Sequence, residues 1–178
     1  MIKPEKIEVL VSAEEITKRV QAIASEIASG MNSDIMIVSL LRGSFVFTAD
    51  LIRALHFCGV NPQVDFMTLA SYGSGTSSSG NVQIIRDIVE DVRGREILIV
   101  DDILESGRTL SFARNLLKER GAGSIKIAVM LEKPGKRKVE IEADFVGIKI
   151  PDKFVVGYGL DYANYYRELP FIGSITPG

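Results

Sequence analysis

The chain has 178 residues, enough for one domain that buries about 70% of the surface its unfolded form exposes. Hydrophobic residues make up 46% and charged residues 25%, a composition that excludes a disordered segment. The formal net charge of -2 leaves no excess of positive charge to attract nucleic acid or an acidic membrane.

The opening "MIKPEKIEVLVSAEE" lacks the apolar run and small-residue cleavage site of a secretory signal. No stretch approaches the roughly 18 uncharged apolar residues of a membrane span, so a cytoplasmic location is expected. Ser12 and Glu15 have capping-box spacing and predict a helix over 13–29, closed by Gly30. "DIMIVSLL" (34–41) is continuously apolar, the pattern of a strand buried on both faces. Helical spacing returns in "SFVFTADLIRALHFCG" and ends at Gly59. This stretch holds the single histidine, His56, read as structural for want of a partner. It also holds the single cysteine, Cys58, which excludes an internal disulfide framework and fits a reducing cytosol.

Strands are predicted over 63–72 and 82–89, joined by the flexible Gly/Ser loop 73–80. "EILIVDD" (96–102) is a further strand, followed by a helix over 108–119 with Gly121 beyond its end. "SIKIAVMLEK" (124–133) is a strand, and the basic run "KPGKRK" (133–138) reads as a solvated turn. Short extended pieces follow at 144–150 and 153–159. Strands alternating with helices imply right-handed crossovers and an α/β fold with a mostly parallel sheet. Ligands of such sheets bind at the carboxyl ends of the strands, where "SLLRG" and "VDDILESG" both fall.

The stretch "ILIVDDILESGRTL" (97–110) sets Asp101, Asp102 and Glu105 beside Ser106, Gly107, Arg108 and Thr109. Unpaired N–H groups at the helix start, two hydroxyls and a glycine make a phosphate cradle. Acids next to an anion site require a ligand with two ends. A sugar phosphate meets this, with its phosphate in the cradle and its hydroxyls, or a magnesium ion on them, at Asp101 and Asp102. Asp101 and Asp102 point to opposite faces, and so do different jobs, unless the strand has already turned.

This stretch resembles the signature of the phosphoribosyltransferases: an apolar strand, two acids, two apolar residues, an acid, then Ser/Thr-Gly-x-Thr. "LLRGSFVFTADL", "VDFMTLASYGSG" and "IPDKFVVGYGLDYANYYRELPFIG" extend the resemblance to bacterial hypoxanthine phosphoribosyltransferases, from about residue 8 to the C-terminus. The resemblance implies a type I phosphoribosyltransferase fold occupying 1–178 as one domain. A mobile flap would cover about 71–81, and a small base-binding hood about 133–170.

It also implies the reaction. The 5-phosphoribosyl group of 5-phosphoribosyl 1-diphosphate passes to N9 of hypoxanthine, or guanine, giving the nucleotide monophosphate and diphosphate, with magnesium as cofactor. By the same resemblance Asp101 and Asp102 hold the ribose hydroxyls with magnesium near them. Glu105, Ser106, Gly107, Arg108 and Thr109 wrap the 5′-phosphate, Arg108 at the variable position where no side-chain role is required. Arg42, Gly43 and Arg167 bind diphosphate, and the Leu41–Arg42 peptide is one that can be cis. Lys133, Phe154, Val155 and Asp161 bind the base, and Asp161 also touches a second magnesium through its shell. Ser71 and Tyr72 open the flap, which would keep water from an oxocarbenium-like transition state. Members of the family are often homodimers or homotetramers.

Two positions depart from the pattern. Asp101-Asp102 stands where Glu-Asp is usual, and Glu105 stands where the family has the aspartate proposed as general base at N7. Glutamate keeps the carboxylate but lengthens the arm by ~1.5 Å, one C–C bond. Compensation by the loop backbone is expected, since the neighbouring motifs are whole. The alternatives are a regulator of the same fold that binds nucleotide without turnover, and an enzyme preferring xanthine.

Overall fold

A computed structural model describes residues 6–71 and 82–175 of the chain. Tyr72 and the predicted loop 73–80, with the rest of the expected flap, lie outside the described residues. Helix α1 (Ala13–Gly30) starts where the spacing predicts it, and the Ser12 hydroxyl accepts the Glu15 N–H at 3.2 Å. This cap satisfies one of the N–H groups that the first turn leaves unpaired. Helix α2 (Phe45–Phe57) and helix α3 (Arg108–Glu119) follow the other two helical patterns.

The main sheet has 6 strands in the order β4-β3-β2-β5-β6-β7. They are β2 (Met36–Leu41), β3 (Gln63–Ser71), β4 (Val82–Arg86), β5 (Glu96–Leu104), β6 (Ser124–Glu132) and β7 (Phe145–Lys149). All pair in parallel except β4, which runs antiparallel on β3. Continuous apolar runs are needed because both faces are covered. Ile37, Leu98, Val100 and Met130 pack with the apolar stripes of α1 and α2, while Val38, Ile97, Ile99 and Val129 pack with Leu110, Ala113 and Leu117 of α3. Truncating a fully buried member such as Leu98 to alanine would cost about 2–5 kcal/mol.

A second, antiparallel sheet of 3 strands orders β1 (Glu8–Val11), β9 (Ile172–Ile175) and β8 (Phe154–Val156). Two strands of this sheet carry no signal strong enough to predict. Each of β1 and β9 has only 4 residues, and they meet only in three dimensions.

The predicted strand over 82–89 stops at Arg86 because the following backbone finds other partners. The Asp65 carboxylate accepts the N–H groups of Val89 at 2.7 Å and Glu90 at 3.1 Å, which fixes a loop there. The predicted strand over 96–102 instead continues to Leu104, pairing Ile103 with Leu131 and Leu104 with Glu132. Strands β2 and β5 are neighbours, yet β2 leads through α2 to β3 on one side and β5 leads through α3 to β6 on the other. Their carboxyl ends therefore part, and a crevice opens between them.

Candidate active site

The crevice has a volume of about 280 Å³ and is walled by residues 40–43 from the end of β2 and by 101–107, 109 and 110 from β5 and the start of α3. On the β2 side the chain turns through Arg42 and Gly43, and the Leu41–Arg42 peptide is cis. Arg42 is exposed. Beneath the turn lies a hydroxyl cluster that sequence reasoning missed. Buried Ser39 meets the hydroxyls of Ser44 at 2.8 Å and Thr48 at 2.7 Å, and Ser44 donates to the Leu40 carbonyl at 2.5 Å. Three paired hydroxyls in an apolar setting brace the turn, since each would be costly to bury unpaired. The lone signal was Ser39 inside an otherwise apolar run.

On the β5 side Asp101 and Asp102 both line the crevice. The Asp102 N–H donates to Asp101 Oδ1 at 3.0 Å, and both side chains border one ligand space although β5 runs on as strand to Leu104. Removal from water holds both carboxyls above the usual range. For Asp101 the neighbouring Asp102 charge adds to this, while Arg167 draws Asp102 back down. Such a pair binds a cation or hydroxyl donors more readily than it stays ionised alone. Gly43 faces the pair so closely that a Cβ there would stand 1.6 Å from Asp102 Oδ2.

The cradle residues Ser106, Gly107 and Thr109 line the same crevice. Gly107 is required at the start of α3. Its φ is +79°, and a Cβ would stand 2.4 Å from Ile141 Cγ2. Arg108 is half-buried at the first position of α3. The helix N-terminus thus points its N–H groups at the crevice floor, a position suited to phosphate.

The ends of β5 and β6 bring together two further predicted residues. Lys133 is buried, and its Nζ donates to Glu105 Oε2 at 3.3 Å. The reading of "KPGKRK" as a solvated turn is corrected here. The Lys138 N–H donates to the Ser106 carbonyl at 2.9 Å, and Arg137 reaches five acceptors with only 23% of its side chain exposed. Arg137 is spent on backbone carbonyls and on Glu132, Lys133 on Glu105 and Lys136 on Asp152, which a one-dimensional pattern does not reveal.

Of the hood residues, Phe154 is 42% exposed, with Tyr162 edge-on at 5.6 Å between ring centroids. Val155 is buried and paired with Ser174. Asp161 accepts the Asn164 N–H at 2.8 Å, closing a turn, and pairs with Arg167 at 2.7 Å. Arg167 also donates to the Gly159 carbonyl at 2.6 Å. Ser71 ends β3, and Tyr72 lies outside the described residues. The hood is fastened to the main body where the Tyr158 hydroxyl donates to Asp50 Oδ2 of α2 at 2.7 Å. Burial and that carboxylate together push the phenol's pKa up.

No group of three or more His, Cys, Asp or Glu among the described residues is arranged to hold a metal by protein ligands alone. Asp101 and Asp102 are nevertheless a hard-oxygen pair of the kind that magnesium takes when substrate oxygens and waters complete its shell.

The description "Phosphoribosyl transferase domain" fits residues 8–163. The chain belongs to the phosphoribosyl transferase family. Within that family it is 46% identical to the hypoxanthine phosphoribosyltransferase of Escherichia coli K12 over 172 residues, 95% of each chain. It is 47% identical to the hypoxanthine-guanine phosphoribosyltransferase of Bacillus subtilis 168, covering 99% of this chain and 97% of that one. A solved hypoxanthine phosphoribosyltransferase from Staphylococcus aureus superposes with a TM-score of 0.89 at 42% identity, covering 96% of this chain and 91% of the other. The mostly parallel sheet is thus that of a phosphoribosyl transferase.

Proposed function

We propose that the chain is a hypoxanthine phosphoribosyltransferase of purine salvage, converting hypoxanthine, and guanine, to the nucleotide monophosphate at the expense of 5-phosphoribosyl 1-diphosphate. The observation that carries this reading is the Lys133–Glu105 pair beside the acid-lined crevice. It presents a donor and an acceptor 3.3 Å apart. A 6-oxopurine offers the complementary edge, with O6 to accept from the ammonium and N7–H to donate to the carboxylate. Adenine would turn an amine toward an ammonium that has three donors and no acceptor.

The chain's own residues then act in sequence. Ser106, Gly107 and Thr109 seat the 5′-phosphate at the start of α3. Asp101 and Asp102 orient the ribose through its hydroxyls, and Arg42, Gly43 and Arg167 receive the diphosphate. Phe154 stacks on the base while the backbone at Val155 reads its edge. The N9 lone pair forms the bond to C1′ as the bond from C1′ to the diphosphate oxygen breaks. Glu105 takes the N7 proton, so no positive charge builds up on the ring. A magnesium ion held at Asp101 and Asp102, with Asp161 at the shell of a second, would supply charge neutralisation for the departing diphosphate.

The same reading places Ser71 and Tyr72 at the opening of a flap, treats residues 1–178 as one domain, and includes a cytoplasmic location and assembly into a homodimer or homotetramer. Among the described residues no helix is long and apolar enough to cross a membrane. The test is incubation with the diphosphate sugar, magnesium and each of hypoxanthine, guanine, xanthine and adenine, with chromatography for nucleotide. Product from hypoxanthine and guanine is expected. Product from xanthine alone, or from adenine, would replace this reading with another.

A further inference from the structure

We propose that Arg137 is the positioning residue that sets the spacing of Glu105 and Lys133, an inference that rests on the reading of this pair as the reader of the base. The pairing of β5 with β6 ends at Leu104 and Glu132, one residue before each member of the pair. Past that point the ladder supplies one more bond, from the Lys133 N–H to the Leu104 carbonyl at 3.0 Å. The Glu105 and Lys133 backbones would otherwise be free to splay, as strand ends do once their ladder stops.

Arg137 closes the gap. Its Nη1 donates to the carbonyl of Glu105 at 2.9 Å, of Leu104 at 3.1 Å and of Lys133 at 3.5 Å. One nitrogen therefore bridges the backbones of the two residues whose side chains meet at 3.3 Å. Its Nε donates to the Ile141 carbonyl at 3.2 Å, and its Nη2 to Glu132 Oε1 at 2.5 Å. The guanidinium plane is thus fixed by β6 on one side and by the loop under Gly107 on the other. Only a planar fork with five donors can serve acceptors in these directions at once. A lysine at the same place keeps the charge and loses the geometry.

This placement also bears on the longer arm of Glu105. The residue is held at its carbonyl rather than by packing of its side chain, which is 46% exposed. Arg137 thereby limits how far the carboxylate can range from Lys133. The device acts through Glu105 and Lys133 and touches no substrate itself.

The test is a double-mutant cycle on the full chain with R137K, E105Q and the pair together, measuring kcat and KM for hypoxanthine and KM for the diphosphate sugar. R137Q and the melting temperatures serve as controls for folding. R137K alone is expected to lower kcat/KM for hypoxanthine about 30-fold, within the range set by misplacements near 1 Å. KM for the diphosphate sugar should change less than kcat/KM for hypoxanthine, because the Lys138 N–H still holds the Ser106 carbonyl of the cradle in R137K. In the E105Q background R137K should cost less than about threefold, since residues that act as a unit are not additive. Equal losses in the two backgrounds, unchanged activity in R137K, or both variants unfolding at the assay temperature would each overturn the inference. Nucleotide formation by the unmodified chain is the shared control. Its absence defeats the functional reading and this inference together, whereas full activity in R137K defeats the inference alone.

Discussion

Replacing Gly43 with alanine adds one methyl group at the place where the β2 turn meets the β5 acids. The new Cβ would lie 1.6 Å from Asp102 Oδ2 and 2.7 Å from its Cγ, where real Cβ contacts essentially never fall below 3.0 Å. The oxygen must retreat by about 1.4 Å, on the scale of the ~1 Å misplacement that can cost an active site a hundredfold in rate. The obstructing atoms belong to a side chain rather than to the backbone, so the fold can give way locally. An off-rotamer Asp102 would cost of order 0.5–1.5 kcal/mol, or about 1–6 °C of melting temperature for a chain of this size. The substitution therefore separates stability from function. Steady-state kinetics should show kcat/KM for the diphosphate sugar falling about 100-fold or more while calorimetry records a change of only a few degrees. A G43A chain with activity within about threefold of the parent would refute the argument that Asp102 must stand where Gly43 allows it.

Three further outcomes follow from the same geometry. Asp101→Asn should raise the melting temperature at neutral pH while lowering activity. The folded pKa of Asp101 lies well above the free value, so the folded chain holds more protons than the unfolded one, and stability falls as pH rises through the folded pKa. The gain from D101N should accordingly vanish near pH 4, about the ordinary aspartate pKa, and an equal gain at both pH values would contradict it. Glu105→Gln removes the proton acceptor and should lower kcat by about 10²- to 10⁴-fold, whereas Glu105→Asp should stay within about tenfold; unchanged turnover in E105Q would show that Glu105 is not the base. Lys133→Met loses a charged hydrogen bond worth about 1.5–3 kcal/mol, so hypoxanthine use should fall roughly 10- to 150-fold; unchanged hypoxanthine use in K133M would mean that Lys133 does not read the exocyclic oxygen.

The legible parts of this molecule were those written locally. The capping box at Ser12, the apolar run into Leu41 and the strand that delivers Asp101 each depend on neighbours in sequence, and their elements formed where predicted. The placing of "SLLRG" and "VDDILESG" at carboxyl ends of strands was legible too, since alternating elements imply a parallel sheet with its ligands at those ends, and both stretches line the crevice. What could not be read depends on contacts across the fold. Nothing local tells that Glu8–Val11 pairs with Ile172–Ile175, 166 positions away where Glu8 meets Ser174. Arg137 looked solvated because its partners include Leu104 and Glu105, more than thirty residues upstream. The hydroxyls of Ser39, Ser44 and Thr48 looked incidental for the related reason that their common point is a turn with a cis peptide, which spacing does not encode. Glu105 is the intermediate case. The sequence marked it as a departure from the family pattern, and the structure gave it a partner, Lys133, at the end of the adjoining strand.

The most direct test of the account is the rate of nucleotide formation from hypoxanthine, 5-phosphoribosyl 1-diphosphate and magnesium by the purified chain, run beside adenine under the same conditions. The account predicts inosine monophosphate and diphosphate in equal amounts from hypoxanthine and no measurable nucleotide from adenine. No nucleotide from hypoxanthine, or comparable product from adenine, would contradict it.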